Sequence, residues 1–228
     1  DCLIQLMDFV NSPYLTAENV EKEKGIIVQE LQMYADHPNH RIHSRLLENL
    51  YHEHPLRLDI GGTVNSVRDI TVEALRRCYY TFYQPSNMAL VVVGDVDPRE
   101  TLRLVQANLP VWKHHVGPIE RLYPSEPQHV AESWAEETLH ISRPRYLMGF
   151  KHDPIWQGRE LLRQQILMDL VDVSFGASFN SDPRYAYSVL GSETADPDSL
   201  HGELVRVINE FKANAVSSSD VERLKRQL

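Results

Sequence analysis

Cysteine is scarce. Cys2 and Cys78 are the only two in 228 residues, too few for a disulfide scaffold, and neither belongs to a C-x-x-C pair. Each sits in helix-like sequence, so both are expected as buried free thiols in a reducing compartment. A cytoplasmic location is the expectation that follows. Long apolar runs are missing too, and nothing approaches the ~20 residues of a membrane span. Positive charge is in deficit: 23 Lys and Arg stand against 32 Asp and Glu, a net charge of −9. That balance argues against non-specific binding to nucleic acid or to an anionic membrane. Two nucleophile or phosphate signatures are also lacking. Asp59-Ile60-Gly61-Gly62-Thr63 has adjacent glycines but no P-loop lysine or spacing. Ser174 and Ser178 lie outside any G-x-S-x-G elbow.

What remains is ordinary globular composition, 42% hydrophobic and 24% charged, enough for a sizeable core. Helical periodicity marks residues 2–10, a helix through Glu30 to about Tyr34 capped by Thr16 or Asn19, and one from about Asn39 to Tyr51. Thr71 caps another to about Phe82. Met88 to Gly94 is short, apolar and rich in β-branched residues, which predicts a strand buried on both faces. Asp97-Pro98 opens a helix to about Asn108. Residues 110–137 hold four of the thirteen prolines and no clear period, as a linker would. Beyond it, Arg145–Phe150 and Ala186–Ser192 read as strands. Gln157–Leu170, Ser199–Asn214 and Val221–Leu228 read as helices. Around Asp169 to Phe175 a helix runs into strand-like sequence with hardly any connection, as if a segment were missing.

The run Glu23-Lys24-Gly25-Ile26-Ile27-Val28-Gln29-Glu30-Leu31 is the most informative. Its two carboxylates stand seven residues apart, near two helical turns, and so share one helix face. Ile26, Ile27, Val28 and Leu31 lie among and beyond them. Carboxylates beside such a surface are expected to be partly desolvated and to need a cation, a donor or a proton. Glu30 is therefore a candidate metal ligand and Glu23 a candidate partner that orients another ligand. The plainer reading of the same face is a solvated amphipathic helix.

Three segments occur in a telling order. Glu18 to Leu31 resembles the distal-ligand helix of the insulinase/pitrilysin-like zinc peptidases, the inverzincins, including their bacterial processing-peptidase-like members. His54-Pro55-Leu56 with Gly62-Thr63, and then Tyr83-Gln84-Pro85-Ser86-Asn87-Met88 through Val96, resemble the stretches that follow in that family. The match covers residues 1 to about 110. Residues 138–228 resemble, more loosely, the start of the family's second domain. The resemblance implies an α+β fold, a two-layer α/β sandwich with a mostly antiparallel sheet, repeated in two related domains. Residues 1–116 would be the first, 117–137 the linker and 138–228 the second.

The resemblance implies a zinc-dependent peptidase that closes two related halves around a peptide or small protein. Glu30 and two upstream histidines would hold zinc, an upstream glutamate would activate the bound water, and Glu23 would orient a ligand histidine. Pairing along a strand edge would hold an extended substrate. The signature of those upstream groups, H-x-x-E-H, is absent from the 228 residues. In the family it precedes the Glu30-type ligand by more residues than precede Glu30 here, so it would fall before Asp1. No catalytic residue is therefore assigned within the chain. The rival expectation is a non-catalytic relative, acting as the structural or regulatory partner of an active subunit. Either could pair as a homodimer or as a heterodimer with a related subunit. The family's substrate-gripping Arg and Tyr are not carried over to Arg184, Tyr185 and Tyr187, whose spacing differs. His37, His40 and His43, at i, i+3 and i+6, and the alternating His52 and His54 are read first as surface or packing histidines, with a metal site as the lesser alternative. On the resemblance, His54-Pro55 is structural.

Overall fold

The computed structural model describes residues 2–109, 117–172, 175–214, 217 and 221–222. The chain forms two compact units. One comprises residues 1–32 and 62–122, the other residues 33–61 and 123–228.

In the first unit the regular elements among the described residues are helices. Helix α1 spans Cys2–Asn11, and α2 starts at Ala17 and runs to Ala35, its last turn counted with the second unit. Thr16 begins α2: its hydroxyl accepts the Asn19 N–H at 3.2 Å and its carbonyl accepts from Val20. Helix α4, Val64–Arg68, has a capping box in which Thr63 and Ser66 satisfy each other's amides. Helix α5, Val72–Phe82, is capped by Thr71, and α6, Pro98–Asn108, by Asp97. Single side chains tie these helices together. Tyr79 Oη donates to the Val10 carbonyl at 2.8 Å, Arg76 donates to that of Leu15, and Lys24 Nζ donates to that of Arg68. Met7, Val20, Val67 and Tyr79 form the buried apolar positions.

Two expectations are corrected here. Met88 to Val93 is not a strand: it pairs with nothing among the described residues, and Val91 and Val93 are 80% and 91% exposed. A β-branched run becomes a strand only where neighbouring strands satisfy its amides, and the described part of this unit offers none. Cys2 and Cys78 are exposed, not buried, because α1 and α5 turn Met7 and Tyr79 inward instead.

The second unit carries the sheet. Strands β1 (Arg145–His152), β2 (Ala177–Asp182) and β3 (Tyr185–Glu193) are antiparallel in the order β1-β3-β2. The fold class is thus α+β with an antiparallel sheet, as expected. Strand β2 is an addition to the sequence reading. It joins β3 through Pro183-Arg184, where proline presets the turn and the Asp182 carboxylate accepts the Arg184 N–H. Helices α7 (Gly158–Asp172) and α8 (Pro197–Ala213) cover one face of the sheet. There Tyr146 and Leu190 pack with Met168, Val171, Leu200 and the fully buried Leu204. Helix α3 (Pro38–Leu50) covers the other, setting Leu47, Leu50 and Tyr51 against Tyr187 and Val189. The sheet lies tight at Gly191 (φ +135°), where a Cβ would stand 2.1 Å from the Tyr146 carbonyl oxygen, so only glycine fits. The helix expected from Val221 and the short connection at Val173 fall mostly outside the described residues.

Candidate functional site

Glu23 and Glu30 both lie on α2, as the seven-residue spacing requires. The expected partial desolvation does not occur. Both side chains are exposed, Ile26 between them is 48% exposed, and open space surrounds the Gly25 position. No described element covers this face of the helix. Among the described residues neither glutamate has a hydrogen bond or an ion pair. The neighbouring acid, Glu21, is paired instead with Lys24 at 2.7 Å. Glu30 is therefore a carboxylate with its lone pairs open to solvent, which suits an inner ligand of a cation. Zinc takes three or four protein donors, and no group of three His, Cys, Asp or Glu side chains comes together among the described residues. This donor set does not by itself hold zinc, and no hydrolytic step follows from it.

The histidines disperse. His37 stands at the N-terminus of α3, His40 Nε2 meets Asp59 at 3.0 Å, and His43 Nε2 lies 3.4 Å from Tyr187 Oη. His54 is 6% exposed and caps a 3-10 turn over Pro55–Arg57, its Nδ1 accepting the Leu56 N–H at 3.1 Å. An Nδ1 that accepts leaves the neutral ring's proton on Nε2. Burial lowers the His54 pKa. The Glu126 and Asp182 carboxylates oppose that, and Lys151 adds to it. His54 is therefore a packing and capping residue, enclosed by Tyr51, Tyr123 and Tyr185.

The most ordered charged cluster is one that sequence reasoning missed. Glu126 accepts the backbone N–H groups of His52, Glu53 and His54 at 2.7–2.9 Å and pairs with Lys151 Nζ. Lys151 also sits 4.9 Å over the Tyr51 ring. Burial alone would raise the Glu126 pKa. The Lys151 ammonium and the three amides outweigh it and bring the carboxyl down to about 2. No sequence signal marks this glutamate, since its partners lie more than twenty residues away on either side. An open cleft of about 370 Å³ lies between α3 and the sheet, lined in part by Asn39, His43, Arg145 and Ser178. Its one cation is already engaged, Arg145 reaching Asn39 at 2.5 Å and Glu193 at 3.1 Å.

Comparison with known proteins identifies the lineage of this arrangement. A family model described as Peptidase M16 inactive domain matches residues 69–172. The "Uncharacterized zinc protease YmfH" of Bacillus subtilis is 37% identical over 218 residues, which take in 86% of this chain and 51% of that protein. The aligned length exceeds the part of this chain it takes in, so the relative carries residues with no counterpart here. The "Probable inactive metalloprotease YmfF" of the same organism is 28% identical over 139 residues, 59% of this chain and 33% of that protein. Among solved structures, a putative M16-like peptidase from Alicyclobacillus acidocaldarius superposes with a TM-score of 0.86 at 36% identity. The superposition covers 99% of this chain and 58% of that one. The chain thus spans about half the length of the relatives it matches most extensively.

Proposed function

The chain belongs to the M16-like peptidase family, and from that premise we propose that it is part of a zinc-dependent peptidase that hydrolyses peptides or small proteins inside a closed chamber. The observation that carries the reading is Glu30, a solvent-open carboxylate without a protein partner among the described residues, on the helix where the family resemblance puts its distal ligand. Two histidines from an H-x-x-E-H segment outside these 228 residues would complete the donor set, and the glutamate of that segment would act as the base. Zinc, when bound, supplies an activated water. The chain's own part is to present Glu30 from a rigid helix. Glu23 lies two turns earlier, about 10 Å along the axis, a distance that accommodates an imidazole between it and the ion and suits the orientation of a ligand histidine. In this reading residues 1–116 and 138–228 belong to the two related domains, with 117–137 between them. The site is cytoplasmic, in keeping with two free thiols, and among the described residues no helix is long and apolar enough to cross a membrane.

A second reading has its own support. One relative is named a probable inactive metalloprotease. On that reading the chain belongs to a non-catalytic subunit that pairs with a related active one. A quenched fluorescent peptide library separates the two. The natural full-length protein, purified alone, should cleave library members in a way that a zinc chelator abolishes and added zinc restores. Cleavage that appears only after adding a related subunit would favour the second reading, and chelator-insensitive cleavage would exclude the first.

A further inference from the structure

Three of the four glutamates in residues 126–137 meet one helix and the turn after it. Glu137 pairs with Arg41 at 2.5 Å, Glu132 with Arg45 at 2.7 Å, and Glu126 takes the amides of residues 52–54. As one numbering falls from 137 to 126, the other rises from 41 to 54. The segment therefore runs antiparallel to α3 along the whole helix. One backbone bond joins them midway, the Glu132 N–H donating to the Asn49 carbonyl at 3.0 Å. Val130 packs on the apolar cluster of Leu47, Leu50 and Tyr51.

The attachments are unequal. Glu126 and Lys151 are 14% and 9% exposed, and the glutamate is held by three amides as well as the ammonium. Glu132 is 54% exposed and its partner Arg45 35%, while Glu137 and Arg41 are 32% and 42% exposed. Trp134 adds little grip, being 58% exposed and 6.3 Å from the Tyr146 ring centroid. Exposed pairs are weak and screened by salt, whereas a carboxylate in an amide nest is not.

We propose that residues 126–137 form an electrostatic strap that peels from one end. Ionic strength releases the part from Glu132 to Glu137, and Glu126 and Val130 remain seated as the hinge. Peeling uncovers Arg41 and Arg45 on α3. The strap is thus a conformational device: the stretch that composition marks as a plain linker is clasped to a helix by charge and freed by its screening.

Amide hydrogen exchange on the natural protein reads both ends at once. Raising salt from low concentration to about 1 M, where the Debye length shrinks to about 3 Å, should speed exchange at Glu132 and its C-terminal neighbours. The increase expected is roughly threefold to tenfold, as two exposed ion pairs allow. The amides of residues 52–54 should stay protected. The double variant Glu132→Gln/Glu137→Gln should show the faster exchange already at low salt and no further response. Glu126→Gln should instead deprotect residues 52–54 at every salt concentration. If that variant does not fold, the double variant and the salt series decide alone. Salt-independent exchange at Glu132, or loss of protection at 52–54 together with Glu132, would overturn the proposal.

Discussion

Two runs that read as strands meet opposite fates in this protein. Tyr185–Glu193 is the central strand of the sheet, paired on both edges, with Ala186 through Leu190 buried. Met88 to Val93 is more apolar and more β-branched, yet lies unpaired and exposed among the described residues. Composition favours the second run as a strand. What separates them is company: β3 has a strand on each side and helices over each face, and among the described residues the other run has neither. A carboxylate comparison makes the same point. Glu126, in a stretch with no recognisable pattern, is fixed by four groups of its own chain, three backbone amides and the Lys151 ammonium. Glu30, in the most patterned stretch, has no partner among the described residues. Glu126 has its structural role filled, and Glu30 is open to a role filled from elsewhere.

The comparison can be broken by substitution. The largest effect is expected in the closed unit: Leu204→Ala removes a fully buried side chain and should cost about 2–5 kcal/mol in denaturant unfolding. Next, the same change in both runs separates them. Val189→Thr puts a hydroxyl where the valine is 6% exposed and should cost about 1–3 kcal/mol. Acid sharpens the picture more gradually. Burial lowers the pKa of His43, with His40 adding to it, and lowers those of His54 and His152. Their neutral forms are favoured in the fold, so the stability they give is full above 6.5 and is lost as pH falls from there through the folded values. Glu126 follows at lower pH. Its contribution is present above 4.5 and fades towards about 2. Urea midpoints taken across this range should therefore drop in two stages, and a flat profile down to pH 4.5 would remove the histidine contribution. Val91→Thr, at a site 80% exposed, should change stability least, within about 0.5 kcal/mol. A cost as large as that of Val189→Thr would mean the run is covered after all.

Helices were legible because their signals are local. Thr16, Thr71 and Asp97 each cap the helix expected of them within three residues of sequence. Strands β1 and β3 were legible from apolar content. Strand β2 was not, because Ala177-Ser178-Phe179-Asn180-Ser181-Asp182 has four polar residues in six and stands at the sheet's edge. Its identity as a strand depends on β3. The strap had no period to read, since side-chain charges hold it rather than a repeating backbone pattern. At the candidate site, the shared helix face of Glu23 and Glu30 was readable from spacing. Their exposure was not, because it depends on what packs against α2, which lies outside the helix's own sequence.

The claim at the centre of this account is that Glu30 is a zinc ligand. Elemental analysis of the natural full-length protein beside its Glu30→Gln variant tests it most directly. The account predicts about one zinc per chain in the natural protein and much less in the variant. Equal zinc in both, or none in either with the protein folded and metal supplied, would contradict it.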